Sequence, residues 1–199
     1  MIARLVTGAG LLLASTLPAF AHLDPLEHGS LLAGLSHPLF GADHVLAMVA
    51  VGLWAALLSS TRGDRSTLWR VPAAFVTAMT AGFAAALQGL PLPFVEPAIL
   101  ASVVVVGLLA AAALSVPTPA AMALVGFFAL FHGHAHGAEL GTAGAAAFGV
   151  GFAAATALLH GAGMLLGLGM RGLGGATGSA ATRIAGALTA LGGVLLAVG

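Results

Sequence analysis

Long apolar runs constrain the fold of this chain more than any other feature of its sequence. Stretches of roughly 20 apolar residues, the length of a helix that crosses a bilayer, follow one another with short breaks. We place six of them, near residues 39–59, 71–90, 97–116, 119–140, 142–170 and 182–198. Only 6% of the 199 residues are charged, against about 25% in an ordinary soluble domain. The sequence therefore predicts an all-α integral membrane protein, a six-helix bundle that forms one transmembrane domain over residues 22–199.

The composition also excludes several function classes. The chain has no lysine, so it lacks the basic surface that neutralises nucleic-acid phosphates. It has no cysteine, which removes disulfides, thiolate metal sites and cysteine nucleophiles. The phosphate-binding motif GxxxxGK[ST] is absent from the sequence, so the chain itself does not hydrolyse ATP. We expect no nucleic-acid partner and no ATPase subunit.

The first 21 residues have the pattern of a cleavable signal peptide. Arg4 supplies a positive start, residues 5–17 are mostly apolar, and Ala19 and Ala21 form a small-x-small cleavage sequence. An uncleaved first membrane helix is the alternative, which the short apolar core disfavours. Cleavage would begin the mature chain at His22, outside a bacterial inner membrane.

The arginines predict the orientation independently of the signal peptide. Cytoplasmic loops of membrane proteins are rich in arginine. The arginines of the mature chain lie in or beside the first, third and fifth loops, at Arg62, Arg65, Arg70, Arg171 and Arg183. These loops are therefore predicted to be cytoplasmic, and both termini of the mature chain periplasmic. The same count places residues 22–36, 90–96 and 139–142 outside.

A first polar cluster lies at the outer start of the first predicted helix. His37 and His44 are two helical turns apart, which puts their imidazoles on one helix face if Pro38 takes the first helical position. Asp43 adds a carboxylate, and Met48 adds a thioether one turn beyond His44. Imidazoles with a carboxylate suit a borderline divalent cation such as nickel, cobalt, zinc or copper. A helix cap or an interhelical hydrogen-bonded pair is the alternative, and core packing is the usual role of such a methionine.

A second polar cluster ends the fourth predicted helix. His132, His136 and Glu139 are spaced by four and three residues, which stacks them on one face, whereas His134 points roughly the opposite way. Two imidazoles and a carboxylate on one face form a metal-binding arrangement. A metal-binding surface tract or a proton relay would also use close histidines. Since both helix ends lie on the same side of the membrane, the two clusters can converge on one site.

These motifs resemble the two signatures of the HupE/UreJ family of bacterial nickel/cobalt permeases. The similar features are His37-x5-Asp43-His44 with Met48, and the sequence FHGHAHGAE from Phe131 to Glu139. The resemblance implies uptake of nickel, or in some members cobalt, across the inner membrane to supply hydrogenase, urease or cobalamin synthesis. It also implies the residues that act as metal ligands or orient them, which are His37, Asp43, His44, His132, His136 and Glu139.

Other polar residues are weaker candidates for metal contact. Glu96, at an outer helix mouth, would attract cations or remain a solvated loop carboxylate. His160, deep in the fifth predicted helix, would serve as a transit ligand or proton carrier, or make a packing hydrogen bond. His22 and His28, with the acidic residues between them, would gather metal outside the membrane.

The sequence thus predicts a secondary permease rather than an enzyme, with Ni²⁺ or Co²⁺ as its cargo and no prosthetic group. Two alternatives stay open. One is a membrane metal sensor or accessory protein that binds without transport, and the other is an intramembrane metal-dependent hydrolase that uses Ser36 or Asp43. The sequence does not choose between nickel and cobalt or between uniport and proton antiport, and it leaves a homo-oligomer open.

Overall fold

The computed structural model describes residues 30–140 and 144–199, and all regular structure in these two ranges is helical. The prediction of an all-α fold is therefore confirmed for this part of the chain. The predicted signal peptide, and His22 and His28 after it, lie outside the described residues. The helices are α1 Leu31–Phe40, α2 Ala42–Arg62, α3 Thr67–Leu87, α4 Val95–Ala111, α5 Thr118–Leu140, α6 Ala145–Gly172 and α7 Gly175–Val198.

Five of these helices, α2, α3, α5, α6 and α7, are long and apolar enough to cross a bilayer by length and composition. The other two are shorter, with 10 residues in α1 and 17 in α4. Leucines such as Leu158, Leu165 and Leu188 are exposed on the outer surfaces of α6 and α7. Lipid tails are as apolar as leucine, so this surface suits a bilayer. Over residues 30–140 and 144–199 the structure thus shows a helical membrane bundle with five long helices and two shorter ones, where the sequence predicted six.

The helix predicted near residues 39–59 is wrong at its start, because the chain forms two helices there. Ser30 caps α1, since its hydroxyl accepts a hydrogen bond from the Ala33 amide at 2.9 Å. Pro38 lies inside α1 rather than at the first position of a membrane helix. A proline within a helix removes one backbone hydrogen bond and weakens its continuation. The chain therefore leaves the helical conformation three residues later.

Gly41 forms the break between α1 and α2. Its backbone is extended, with φ −90° and ψ 111°. A Cβ atom at this position would lie 2.9 Å from Asp43 Oδ1 and 3.0 Å from His44 Nδ1. The break therefore favours glycine because the side chains of Asp43 and His44 occupy the space beside it.

The last helix begins at Gly175 rather than near residue 182, so the sequence-based start is wrong. The glycine-rich stretch before it forms a tight turn and a packing surface instead of a longer loop. Gly174 and Gly175 have positive φ angles of 73° and 45°. Gly178 lies so close to α6 that a Cβ atom would approach the Met170 carbonyl oxygen to 2.5 Å.

Two further helices end earlier than the sequence predicts. α3 ends at Leu87 rather than near residue 90, and Gly89 then has φ 72°. α4 ends at Ala111 rather than near residue 116, and Ala113 then has φ 52°. A positive φ cannot continue a right-handed helix, so each of these residues ends its helix before the prolines that marked the predicted loops.

Glycines let the backbones of neighbouring helices touch. Gly163 of α6 faces the Val49 carbonyl of α2, and Gly52 of α2 faces the His160 carbonyl of α6, so neither glycine has room for a Cβ atom. Gly167 lies in the same contact between α2 and α6. α3 packs against α5, and α4 packs against α7. This close packing fixes how each helix is rotated about its axis.

The helix directions sort the polar residues between two ends of the bundle. At one end α1, α3, α5 and α7 finish while α2, α4 and α6 begin, and we call it the histidine end. The opposite end, which we call the arginine end, carries Arg62, Arg65, Arg70 and Arg171. The Arg183 side chain reaches the arginine end as well, because its Nε donates a hydrogen bond to the Ala111 carbonyl at 3.0 Å.

Candidate metal centre

The two predicted clusters meet at the histidine end of the bundle. His37 lies in the last turn of α1 and His44 in the first turn of α2, on either side of the break at Gly41. The prediction that both lie on the face of one helix is therefore wrong. The ring centroid of His136, near the end of α5, lies 4.6 Å from that of His37 and 4.5 Å from that of His44. The break lets both imidazoles approach His136 from separate helices.

Three ligand atoms form what we call the outer position, which comprises His37 Nε2, His136 Nδ1 and Glu139 Oε2. Glu139 Oε2 lies 3.9 Å from His37 Nε2 and 3.8 Å from His136 Nδ1. The three atoms all lie within 4.8 Å of one another. Ligand atoms held about 2.1 Å from one ion lie roughly 3.0–3.4 Å apart, so small side-chain movements close this set around a cation.

Two imidazole nitrogens form what we call the middle position, which comprises His44 Nε2 and His136 Nε2, 2.7 Å apart. Asp43 Oδ1 lies 2.9 Å from His44 Nδ1 and also accepts a hydrogen bond from the His44 amide at 2.9 Å. A carboxylate only accepts, so Nδ1 of His44 carries the hydrogen and Nε2 of the neutral ring presents a lone pair. Asp43 therefore orients His44 as carboxylates orient metal-binding histidines elsewhere.

His132 lies one helical turn deeper than His136. Its Nε2 lies 3.0 Å from Ser102 Oγ, and that hydroxyl donates its hydrogen to the Ile99 carbonyl at 2.6 Å. A hydroxyl has one hydrogen, so Ser102 Oγ accepts from His132 Nε2–H. The unprotonated atom of neutral His132 is then Nδ1, which has no hydrogen-bond partner within the two described ranges. The His132 ring centroid lies 4.9 Å from that of His44, so the His132 ring adjoins the middle position.

Solvent exposure falls from the outer position into the bundle. The side chains of Glu139 and His37 are 66% and 38% exposed, and those of His44 and His136 are 9% and 6% exposed. His132 is fully buried. The side chains of the cluster therefore become less exposed with depth, from the surface of the histidine end toward the middle of the bundle.

The other predicted candidates lie apart from this cluster. His134 faces the opposite side of α5, as its spacing predicted, and its Nε2–H donates to the Leu90 carbonyl at 2.7 Å. Met48 is fully buried in the hydrophobic core. Glu96 is exposed in the first turn of α4 and has no hydrogen bond or ion pair to the described part of the chain.

His160 of α6 is fully buried below the cluster. The packing hydrogen bond that the sequence analysis offered for it is absent, because neither ring nitrogen has a partner among residues 30–140 and 144–199. Its ring packs edge-on against Phe75, with centroids 4.9 Å apart.

Ser102 and the aromatic side chains around the cluster were not predicted from the sequence. Ser102 could have been identified from the sequence, because it is the only polar side chain between Glu96 and the end of α4. The aromatic side chains could not, because a phenylalanine in an apolar run does not show which residues it will contact. Phe152 contacts His136 with ring centroids 4.5 Å apart, and Phe148 contacts His37 at 5.6 Å.

The helices and this cluster define a multi-pass helical membrane protein with histidines and carboxylates gathered at one end of its bundle. The HupE / UreJ protein family matches residues 10–196, and the chain belongs to that family. Protein HupE of Rhizobium leguminosarum bv. viciae is 46% identical over 191 residues, which cover 94% of this chain and 95% of that protein. No solved structure matches the chain.

Proposed function

We propose that this protein is an inner-membrane secondary permease that takes up Ni²⁺ or Co²⁺ from the periplasm. The observation that carries the proposal is the series of imidazoles and carboxylates that runs from the exposed outer position, through the middle position, to the buried His132. Membership of the HupE / UreJ family supports a role in metal transport or supply. The metal ion is the substrate, delivered for metalloenzyme or cobalamin synthesis.

The donor atoms select the class of cation. The cluster offers imidazole nitrogens and carboxylate oxygens, and the chain has no cysteine to add a thiolate. Nitrogen-rich sites with a carboxylate favour nickel, cobalt and other borderline cations over magnesium and calcium. Nickel and cobalt both accept this donor set, so we propose the two together.

The orientation follows from the two ends of the bundle. Since cytoplasmic segments are rich in arginine, the arginine end faces the cytoplasm and the histidine end faces the periplasm. We propose that α4 is the sixth crossing, because its 17 residues run from the histidine end to the arginine end and span about 25 Å. Six crossings place both termini of the mature chain in the periplasm.

The membrane potential is a sufficient driving force. An inside-negative potential of 100 mV is worth roughly 4.6 kcal/mol for a divalent cation, which corresponds to about a thousandfold accumulation. Entry therefore needs no ATP hydrolysis. The ion is captured at the outer position, loses water as it moves to the middle position, and is released inward after a rearrangement of α2 and α5.

The geometry favours binding over hydrolysis. Ser36 donates its hydroxyl hydrogen to the Ala33 carbonyl at 3.2 Å, and Asp43 accepts two hydrogen bonds from His44. The Ser36 hydroxyl is bonded to its own helix, and both hydrogen bonds of Asp43 hold His44. This arrangement supports a cation path rather than an intramembrane hydrolase.

The test is uptake of radiolabelled nickel into proteoliposomes that hold the purified protein under an imposed inside-negative potential. We expect accumulation that depends on the potential and is inhibited by cobalt. His44→Ala should lose uptake, whereas His134→Gln, which keeps a donor for the Leu90 carbonyl, should retain it. Tight nickel binding without flux in the wild-type protein would instead make this a metal sensor or accessory protein.

A further inference from the structure

His160 is the only histidine of the described chain with both ring nitrogens unpartnered. It is also fully buried, between α2, α3 and α6. Burying an imidazole without hydrogen bonds costs free energy that a leucine at the same place would not. An imidazole kept there under that cost points to a ligand that its lone pair binds.

The Phe75 ring connects His160 to the cluster at the histidine end. Its centroid lies 4.9 Å from that of His160 and 5.5 Å from that of His132. Phe75 is itself fully buried. One aromatic ring is therefore in contact with both the deepest imidazole of the cluster and His160.

The depth of His160 follows from the contact between α2 and α6. Gly52 of α2 packs against the His160 carbonyl. Gly52 follows His44 by eight residues, so the His160 carbonyl lies about 12 Å further along α2 than the backbone of His44. That displacement leads toward the arginine end, which is the direction of release in the proposed function.

Other donor atoms lie near this level of the bundle. Thr156 precedes His160 by one helical turn and shares its face of α6. The Thr156 hydroxyl donates to the sulfur of Met79 at 3.5 Å, and both side chains are buried. An imidazole nitrogen, a hydroxyl and a thioether are donors that a borderline transition-metal cation accepts.

We propose that His160 forms a deep site for a divalent transition-metal cation, and that the ring of Phe75 links this site to the cluster at the histidine end. The inference rests on the proposed function for the identity of the ion, Ni²⁺ or Co²⁺. The site itself stands on the burial and unpartnered nitrogens of His160 and on the ring contacts of Phe75. An ion that leaves His132 passes Phe75 and binds the His160 imidazole before release.

The test places a thiolate at this position in the full-length protein. Because the chain has no cysteine, any thiolate-to-metal charge-transfer absorption must come from the introduced residue. On titration with Co²⁺ alone or Ni²⁺ alone, His160→Cys should develop this absorption in the near ultraviolet. His160→Ser should not, because a hydroxyl replaces the soft donor. Leu158→Cys is the matched control, since Leu158 lies on the same helix but is 70% exposed on the outer surface of the bundle.

Each outcome of this titration either supports or overturns the deep site. Absorption in His160→Cys alone supports the deep site. Its absence, in a variant that elutes as a single folded species and still binds metal at the histidine end, overturns the site. Equal absorption in Leu158→Cys also overturns it, because a thiolate elsewhere on α6 would then recruit the ion as well. If His160→Cys does not fold, Thr156→Cys, one turn away on the same face, should show the band.

Flux measurements distinguish failure of this inference from failure of the proposed function. We expect His160→Leu to lower nickel flux at least tenfold while the affinity of the outer position stays within twofold of wild type. If His160→Cys shows the charge-transfer band but the wild-type protein transports no nickel, the permease is rejected and the deep site is retained. If the wild type transports nickel, His160→Leu changes the flux by less than twofold and His160→Cys shows no band, the deep site is rejected and the permease is retained.

Discussion

His44 and His136 face each other through their Nε2 atoms, 2.7 Å apart, across the contact between α2 and α5. Two lone pairs repel at this distance, so one nitrogen carries a hydrogen. His44 already donates from Nδ1 to Asp43, so in the neutral pair the hydrogen lies on His136 Nε2. Nδ1 of His136 then carries the lone pair and faces Glu139 Oε2 at 3.8 Å.

In the proposed function, His136 therefore serves the outer and middle positions in turn. A neutral imidazole has one lone pair in the ring plane, so it binds one cation at a time. With an ion at the outer position, His136 binds through Nδ1 and keeps its hydrogen toward His44. With an ion at the middle position, His136 would bind through Nε2 and carry its hydrogen on Nδ1, facing Glu139. Passage of the ion between the two positions would therefore require one proton to leave Nε2 and another to be taken up at Nδ1.

Replacing His136 should weaken metal binding more than replacing either of its partners. His37→Ala leaves the middle position and His44→Ala leaves the outer position, so at least one of these variants should bind nickel within about twofold of wild type. His136→Ala removes a ligand from both positions and should match the double variant His37→Ala/His44→Ala. Equilibrium dialysis with nickel measures the four affinities. A His136→Ala affinity no weaker than that of His37→Ala contradicts the shared role.

Asp43→Asn should weaken nickel binding without changing the fold. The amide keeps the size of the carboxylate but loses its charge, so it holds His44 Nδ1–H less strongly. Loss of a carboxylate that orients a metal-binding histidine weakens affinity by about 10–100-fold. Dialysis against nickel measures the change, with His134→Gln as the variant expected to bind normally. Equal affinities of Asp43→Asn and wild type would show that the carboxylate does not orient His44.

Ser102→Ala should reduce nickel transport more than it reduces nickel binding at the outer position. The substitution leaves His132 Nε2–H buried without an acceptor, which costs about 1–3 kcal/mol and frees the ring to change tautomer. Nickel flux should fall several-fold, while binding at the outer position, formed by other side chains, should stay within twofold. Ser102→Thr keeps the hydroxyl and should retain most of the flux. A proportional loss of binding and flux in Ser102→Ala would contradict the placement of His132 below the capture step.

The parts of the site that sequence predicts are those set by helical periodicity. His136 and Glu139 share a face of α5 because 3.6 residues per turn places them there, and His134 points away for the same reason. The meeting of the two clusters at one end was also predictable, because alternate helices run in opposite directions.

Other features depend on tertiary packing, which periodicity does not contain. The break at Gly41 reflects the space that Asp43 and His44 occupy. The contacts of His132 with Ser102 and Phe75 depend on how α3, α4 and α5 are rotated about their axes. Those rotations are set where glycines let helix backbones touch, and glycines in an alanine-rich chain do not reveal their partners.

Two glycine substitutions should therefore have different effects on the free energy of unfolding. Gly52→Ala puts a methyl group against the His160 carbonyl, and forcing the two backbones apart should cost about 1–3 kcal/mol of unfolding free energy. Gly161→Ala meets no atom within 4 Å, so it should be neutral or stabilise α6 by about 0.5–1 kcal/mol. Thermal unfolding in detergent, followed by tryptophan fluorescence, compares the two variants. Equal midpoints would show that α2 and α6 are not in backbone contact.

Asp64 should stabilise the arginine end in a pH-dependent way. The Ser66 amide donates to Asp64 Oδ1 at 2.9 Å, and the hydroxyls of Thr67 and Thr118 donate to Oδ2 at 3.4 and 3.3 Å. These hydrogen bonds, foremost those from Ser66, lower the pKa of Asp64 below its ordinary value of 3.8. The carboxylate thereby ties the turn between α2 and α3 to the start of α5.

The sign of the pH dependence follows from that lowered pKa. A group with a lower pKa in the folded than in the unfolded protein stabilises the fold above the unfolded pKa, and the stabilisation is lost as pH falls through the folded value. Asp64→Asn, which resembles the protonated acid, should therefore lower the unfolding midpoint at pH 7, and its difference from wild type should shrink below about pH 4. Glu96→Gln alters an exposed carboxylate without a hydrogen bond to the described chain, and it should leave the midpoint at pH 7 unchanged. A difference between Asp64→Asn and wild type that grows toward acid pH would show that these hydrogen bonds do not favour the charged form.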